Sequence, residues 1–331
     1  LQAIANEVIA SGNLMGDNSD SWIFVAKNGY TGPGGGSNWN PTGLKAPKPM
    51  VDFMWNTSDP RISLFFQKND YDAATYALAQ QQGVLDAGTP WNPRQYVGMP
   101  CSPDAVKTAG GKRFIVFNHI KNGSKDQPLD TTSFIQYRLW QAEFPDKSGA
   151  QGGGTTSFVY LTYADVCFMR AELAARGITS ENAAQWYNAG ITASIKMYDQ
   201  IANNAQVFDY TPVTDAQIAA YLNTPVIQYN PAKGIEQIAC QAFINYYKQP
   251  NEAWALWKRT GMPDMTTDLQ REDFYSGGSL LAIPRRAEFN LPIQGQANYS
   301  NIMAALQHME SDPAYGQGPS DIYGRVWWDM K

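Results

Sequence analysis

The sequence predicts a mostly α-helical protein, and two observations support this. From Thr162 to about Asn204, apolar residues recur at the three- and four-residue spacing that turns one face of a helix towards a core. Before that point, residues 12–157 are broken by clusters of glycine, proline and asparagine, which end regular elements rather than extend them. We therefore expect helix–turn–helix pairs that carry long, loop-rich insertions.

The first predicted helix pair begins at a capping motif. Thr162 and, three residues later, Asp165 have the spacing of a capping box, in which each side chain bonds the backbone N–H of the other residue. Gly177 is expected to end this helix, and a second helix is expected to begin at Ser180 or Glu181. Small residues on the second helix would let a neighbouring helix approach closely.

Three further helices are predicted after this pair. They are a polar helix at Asp215–Leu222, a strongly periodic segment at Lys233–Gln249, and a short helix that Asn251 caps and Gly261 ends. The recurring helix–turn–helix units, about 40 residues apart, are of the tetratricopeptide kind. This part of the chain is predicted to be a helical scaffold.

The first half of the chain contains shorter elements. Pro49–Met54 and Pro60–Gln67 are predicted as short helical pieces, and Lys112–His119 as a strand. Loops as long as those between them are usually functional. We therefore divide the chain into a loop-rich, ligand-binding part, residues 1–157, and the helical scaffold, residues 158–331, within one structural domain.

Charge and hydropathy exclude several classes of partner. The net charge is −5, the isoelectric point is near 5.1, and the lysines and arginines form no cluster, so nucleic acid is not an expected partner. No apolar run approaches the roughly 20 residues of a membrane-spanning helix. The chain opens on an amphipathic helix that Gly12 is expected to end, and it lacks an initial methionine. We expect residue 1 to be the start of a fragment or processed chain that has lost any targeting segment.

Few residues suit metal or nucleophilic chemistry. The chain has two histidines and three cysteines, and none of them is spaced as ligands of a metal site or members of a triad. Glycine runs at 32–36 and 152–154 lack the Lys-Ser/Thr that follows a phosphate-binding loop. We therefore expect no metal, no cofactor and no enzymatic activity.

Carboxylates in the loop-rich part are the basis of an alternative, because a glycoside hydrolase needs only two acids across a cleft. They lie beside Trp55 and Trp91, and they are Asp52, Asp59, Asp70, Asp72 and Glu143. Solvated or helix-capping roles explain them better, since Asp59 precedes Pro60 and two others occupy a turn-like segment. A helical glycoside hydrolase with two carboxylates in an aromatic cleft is therefore the alternative function.

Aromatic residues make up 13% of the chain, more than a core of this size usually needs. Some are therefore expected to bind ligand, together with polar neighbours in the same loops. The candidate ligand-binding residues are Trp22, Tyr30, Trp39, Asn40, Trp91, Asn92 and Arg94. Flat rings stack on the C–H faces of sugars, and amides pair with sugar hydroxyls or with peptide backbone. For any single residue, packing beneath a loop is the competing explanation.

Two adjacent arginines, Arg285 and Arg286, allow two interpretations. They could recognise an acidic ligand, or Pro284 could fix an extended segment from which they pair with carboxylates on packed helices. The structural role is favoured, because the motif follows the scaffold rather than the variable loops.

Six segments occur in an order that is hard to produce by chance. They are DPRISLFFQ (59–67), YVGMP with SPD (96–104), LTYADVCFMRAELAARG (161–177), GIEQIACQAFINYYKQPNEAWALWKRTGMP (234–263), IPRR (283–286) and VWWD (326–329). Together they resemble the SusD-like family (the SusD/RagB superfamily) of outer-membrane nutrient-binding lipoproteins in Bacteroidota. The resemblance spans about residues 50–331, whereas loops 12–49 and 68–95 do not match in detail.

This resemblance implies a SusD-like fold on tetratricopeptide-like helix pairs, and a lid-like role over a SusC-like TonB-dependent transporter. Family members carry a signal peptide, a lipidated N-terminal Cys and additional early helices, which are missing here, so the anchor is expected in the parent protein. We expect a cell-surface protein of the outer membrane that captures an oligosaccharide or oligopeptide and passes it to that transporter. A protein–protein scaffold that uses the helix pairs alone is a third hypothesis.

Overall fold

The computed structural model describes residues 1–26, 43–88, 91, 93, 95–108, 111–115, 118–291 and 293–326. They contain ten α-helices and six short β-strands, which confirms the mostly α-helical prediction. The helices are α1 (Gln2–Ala10), α2 (Lys48–Asn56), α3 (Ile62–Phe65), α4 (Ala73–Gln81), α5 (Tyr163–Ala175), α6 (Ala183–Ala205), α7 (Asp215–Leu222), α8 (Gly234–Asn245), α9 (Pro250–Thr260) and α10 (Tyr299–Glu310).

The predicted capping box starts the α5–α6 pair. The Thr162 hydroxyl accepts the N–H of Asp165 at 3.1 Å, and the Asp165 carboxylate accepts the N–H of Thr162 at 2.8 Å. The second helix begins slightly later than expected, because Asn182 caps it. Close packing follows from the small residues of α6: a Cβ added at Gly190 would lie 2.8 Å from the Phe168 ring of α5.

The second pair consists of α8, a 3-10 turn at Tyr246–Lys248, and α9. The prediction that Asn251 caps α9 is wrong, because the helix already begins at Pro250 after Gln249. Proline suits the first helical position, since its fixed φ is helical and no intrahelical partner is needed for an N–H there. Gly261, with φ of 77°, ends α9 as predicted.

The strands form three two-stranded antiparallel sheets. These pair β1 (Trp22–Ala26) with β4 (Thr156–Leu161), β2 (Asn118–Asn122) with β3 (Lys125–Leu129), and β5 (Phe274–Ser276) with β6 (Ser279–Leu281). The strand predicted at Lys112–His119 is wrong in its first half, since Gly111–Phe114 form a 3-10 turn, and its end is confirmed, since β2 begins at Asn118. A Cβ at Gly111 would lie 2.3 Å from the carbonyl oxygen of Ala105, so this turn is packed against another turn rather than a strand.

The helix predicted at Pro60–Gln67 is shorter than expected, because α3 ends at Phe65. The backbone of Phe66 is extended and forms an antiparallel bridge with Ile135. The backbone N–H of Gln67 then donates to the carbonyl of Phe134 at 2.8 Å. Residues that were predicted to form the last turn of the helix therefore form a β-bridge with a distant part of the chain instead.

The largest core cluster draws buried side chains from both the loop-rich part and the scaffold. Within the described chain, Asp59 and Arg61 lie fully buried where the loop-rich part meets the scaffold. Arg61 donates hydrogen bonds to both carboxylate oxygens of Asp59 (2.9 and 2.6 Å), to Ser194 Oγ of α6 (3.0 Å) and to Gln241 Oε1 of α8 (2.8 Å). This network joins the turn before α3 to two scaffold helices.

The two adjacent arginines hold the C-terminal region, which confirms their structural role. Arg286 is buried and donates to the backbone carbonyls of Gly318 and Asp321. Arg285 donates to the carbonyl oxygen of Lys258 at 3.0 Å. For Arg286 the expected pairing with a carboxylate is replaced by these bonds to backbone carbonyls.

Candidate functional site

Two of the seven predicted ligand-binding residues, Trp22 and Trp91, lie among the described residues. The other five lie outside them, and they are Tyr30, Trp39, Asn40, Asn92 and Arg94. Trp22 is 65% exposed and Trp91 is 36% exposed. Both side chains therefore present ring surface to solvent.

Trp22 belongs to an aromatic surface on the β1–β4 sheet. Its ring centroid lies 5.0 Å from that of Tyr160, and the centroids of Phe24 and Phe158 are 6.0 Å apart. All four side chains are exposed, while Val159 on the opposite face is buried. Alternation along β4 thus turns Val159 to the core and leaves Phe158 and Tyr160 open to solvent.

Trp91 belongs to a different group of residues. Its ring lies 5.3 Å from that of Tyr76 on α4, and Tyr76 in turn packs edge-on against Tyr71. Tyr71 is part of a small second core formed with residues of the β2–β3 hairpin. The two predicted tryptophans therefore contact different groups of aromatic residues.

Four of the five acids considered for hydrolysis take part in other contacts in the structure. Asp59 is the buried partner of Arg61, and Asp72 forms a capping box at the start of α4. The hydrogen bonds that Asp72 accepts from Thr75 lower its pKa. Asp52 and Asp70 each form an ion pair with a lysine, at 2.5 and 2.8 Å. The capping role is confirmed for Asp72.

Metal ligands are not grouped in the described part of the chain. No three His, Cys, Asp or Glu side chains there come together in a way that could hold a metal ion. The three cysteines are free thiols. Burial raises the pKa of Cys167 to about 11 and that of Cys240 to about 12, as expected for buried thiols that stay protonated.

A groove of about 450 Å³ runs along α2, and we call it the α2 groove. Its lining is Lys48, Pro49, Asp52, Phe53, Asn56 and Thr57 of α2, with Val226, Met265, Asp268, Gln270, Arg271, Glu272 and Asp273. Apolar walls combined with a few charged and amide groups are typical of ligand sites. By contrast, a groove of about 310 Å³ between α5, α8 and α9 is lined mainly by apolar scaffold residues.

Charges in the α2 groove are mostly paired. Lys48 bonds Asp52 at 2.5 Å, and Arg271 contacts Asp273 at 3.5 Å. Asp268 is 3.2 Å from a lysine outside the groove, Lys233. Each of these three carboxylates thus has its own cation.

Glu272 differs from the other groove carboxylates. It accepts the backbone N–H of Cys101 at 3.1 Å, and no ion pair joins it to a cation among the described residues. Burial raises the pKa of Glu272, and the nearby charge of Asp52 adds to this, while the hydrogen bond from Cys101 and the charge of Lys48 act against it. A half-buried carboxylate with a raised pKa in a groove is a candidate ligand-contacting group.

Of this groove, the sequence had indicated only Asp52, as one of five possible acids. Asn56, Gln270, Arg271 and Glu272 were missed. The one signal in this segment that could have helped is the density of polar residues in the run from Asp268 to Asp273, a short distance after the end of α9 at Thr260. That run has no helical or strand period, so sequence patterning alone does not place it against α2.

Comparisons with known proteins bear on the fold. The model of a SusD-like family, described as "Starch-binding associating with outer membrane", matches residues 2–289. No curated protein sequence matches the chain significantly. A solved structure of a chitin-binding protein is 21% identical, with a TM-score of 0.63 over 98% of this chain and 58% of that protein.

Two SusD homologues of known structure are also similar. One from Bacteroides fragilis NCTC 9343 is 19% identical, with a TM-score of 0.63 over 99% of this chain and 61% of its own. One from Bacteroides thetaiotaomicron VPI-5482 is 16% identical, with a TM-score of 0.55 over 100% of this chain and 60% of its own. The chain thus shares their fold and spans about three fifths of their length.

Proposed function

The chain belongs to the SusD-like family, and on that premise we propose that it captures an oligosaccharide at the cell surface and passes it to a SusC-like TonB-dependent transporter. An oligopeptide is the second ligand class that suits the same side chains. No bond of the ligand is broken in this function. Affinity comes from ring stacking and hydrogen bonding, and release follows docking on the transporter.

The observation that carries this proposal is the set of aromatic rings held open to solvent. Burying such rings is favourable, so a fold that leaves Trp22 65% exposed beside Tyr160 keeps apolar surface available to a ligand. A sugar offers the matching surface through its C–H faces. The chitin-binding protein with a similar fold supports a carbohydrate as the ligand class.

The proposed location is the outer surface of the outer membrane. None of the helices in the described ranges combines the length and apolar character that crossing a bilayer requires. Attachment through an N-terminal lipidated cysteine of the parent protein is part of the proposal. Metabolic labelling of the full-length protein with a fatty-acid analogue tests it, because incorporation must disappear when that cysteine is replaced.

Binding is tested by calorimetry on the purified protein with panels of starch- and chitin-derived oligosaccharides and of peptides. Trp22→Ala and Trp91→Ala are expected to weaken binding, as is Trp39→Ala outside the described residues. Trp254→Ala is the matched control, because Trp254 is similarly exposed (39%) but lies on the scaffold helix α9. Equal binding by all these variants, or no binding of any ligand, would contradict the proposal.

A glycoside hydrolase is the second candidate, and one observation favours it. Asp52 and Glu272 line the same groove, and the charge of Asp52 contributes to the raised pKa of Glu272. A carboxylic acid with a raised pKa that shares a groove with a second carboxyl group is the arrangement that general-acid catalysis uses. Product analysis after long incubation with the same glycans separates the two functions. If the wild-type protein hydrolyses a glycan and Glu272→Gln abolishes this hydrolysis, the protein is a glycoside hydrolase and the proposed binding function is wrong.

A further inference from the structure

Among the described residues, one carboxylate of the α2 groove has no cation of its own, even when a lysine from outside the groove is counted. Its lining has four carboxylates and two cations, and Lys233 reaches in from outside to Asp268. Pairing therefore leaves Glu272, which bonds only the backbone N–H of Cys101 among the contacts of the described residues. Two of the three paired carboxylates, Asp52 and Asp273, are paired within the lining itself.

The walls of the groove decide what kind of ligand suits this charge. Phe53, Val226 and Met265 provide apolar surface, and the last two are well exposed. Asn56 and Gln270 supply neutral donors and acceptors at the surface. Among the described residues the lining contains no tryptophan or tyrosine, so flat stacking of a neutral sugar is not the main source of affinity that they offer.

We infer that the α2 groove recognises a protonated primary amine on its ligand, with Glu272 as the principal acceptor. The ammonium group brings three donors and a positive charge to the groove, whereas a neutral hydroxyl brings one donor and no charge. Glu272 is half-buried, so a charge-assisted hydrogen bond there is less screened by water than one at the surface. This inference rests on the proposed binding function and assigns a ligand chemistry to one site of it.

Burial of Glu272 supports the same conclusion. Its pKa is raised chiefly because burial penalises the ionised carboxylate. A bound ammonium compensates that penalty directly, which makes the carboxylate a better partner for a cation than for a neutral group. The amine can belong to a glucosamine unit of an oligosaccharide or to a lysine side chain of a peptide.

Matched ligand pairs distinguish the two sources. The first pair is a glucosamine oligomer and an N-acetylglucosamine oligomer of equal length, and the second is a lysine peptide and the same peptide with an Nε-acetylated lysine. In each pair acetylation removes the positive charge and two of the three N–H donors of the amine, and it adds a neutral acetyl group. Calorimetry is expected to show tighter binding of the unacetylated member, by roughly tenfold to a hundredfold, the range for one hydrogen bond to a charged group.

Glu272→Gln is the decisive variant. Glutamine keeps the size of the side chain and an oxygen that can accept the N–H of Cys101, so the protein is expected to fold normally. It should remove the preference for the free amine while leaving the acetylated ligands almost unaffected. Asp215→Asn is the control: it removes the same charge from an exposed position on α7.

The outcomes separate this inference from the proposed function. If both members of each pair bind wild type equally, or if Glu272→Gln keeps the preference, the amine inference is wrong while ligand binding stands. If Asp215→Asn abolishes the preference as completely as Glu272→Gln, net charge rather than the groove is responsible, and the inference also fails. If no saccharide and no peptide binds at all, the proposed function itself fails.

Discussion

Replacing Arg61 with methionine is expected to destabilise the protein more than any other single change at an ion pair of the described chain. The guanidinium group is fully buried and donates to both oxygens of Asp59, to Ser194 and to Gln241. Methionine fills similar space but donates no hydrogen bond. It leaves the Asp59 carboxylate buried without a cation, and it leaves the α6 and α8 acceptors without a donor.

The size of the effect follows from this burial. Removing one partner of a buried ion pair costs about 3–5 kcal/mol, because the remaining charge keeps its desolvation penalty and loses its compensation. With an unfolding entropy of about 2.1 cal/mol/K per residue, a chain of 331 residues has about 0.7 kcal/mol/K in total. The melting temperature should therefore fall by about 4–7 °C.

Thermal unfolding followed by circular dichroism, together with urea titration, measures this change. Lys107→Met is the control, because it removes a cation from an exposed pair with Asp104 and should cost less than about 1 kcal/mol. The double variant Asp59→Asn/Arg61→Met removes both charges and should recover part of the loss. The reasoning is refuted if Arg61→Met shifts melting no more than Lys107→Met, or if the double variant is less stable than Arg61→Met alone.

Three further changes test other parts of the fold. Burial raises the pKa of Asp165 to about 6, above its unfolded value, so the stabilising contribution of this side chain is full below about pH 4 and is lost as the pH rises through 6. Relative to Asp165→Asn, the wild-type protein should lose about 3 kcal/mol of unfolding free energy between these two pH values in urea titrations. Parallel curves of stability against pH for the two proteins would contradict this. Gly190→Ala should destabilise by about 1–3 kcal/mol, because the new Cβ meets the Phe168 ring; a gain of about 1 kcal/mol would mean that helix propensity outweighs packing. Arg286→Lys should loosen the segment around Gly318 and Asp321, so limited proteolysis should cut there faster than in wild type or in the exposed control Arg176→Lys.

Features that depend on neighbouring residues were predictable from the sequence. The Thr162–Asp165 capping box and the Gly261 stop each involve residues within one helical turn, so their spacing alone identifies them. The bounds of α7 were predicted to the residue for the same reason. Local hydrogen bonds leave a local pattern.

Features that depend on distant residues were missed or misplaced. The β1–β4 sheet pairs Trp22 with Leu161, and nothing in either short segment indicates the other. The last turn predicted after Phe65 was replaced by a bridge from Phe66 to Ile135. In both cases pairing with a distant segment determined the backbone conformation, and the spacing of apolar residues along the sequence does not indicate that pairing.

The aromatic residues show the same division at the level of function. Exposure of Trp22 and Trp91 was expected from the composition of their loops, and both rings do reach solvent. Composition could not show which rings they contact, because Tyr160 and Tyr76 approach them from different elements. A list of candidate residues therefore does not define a site until the fold assigns each of them its neighbours.

The α2 groove depends most on tertiary structure, because its distinguishing property is the way in which its charges are paired. In the sequence, Glu272 is one acid among several, and it stands between Arg271 and Asp273 as though it were paired. The fold gives Arg271 to Asp273 and Lys48 to Asp52, and it gives Glu272 a backbone N–H instead of a cation. Ligand chemistry at this site thus depends on which carboxylate the protein's own cations leave unpaired, and that assignment exists only once α2 and residues 265–273 of the groove lining have packed together.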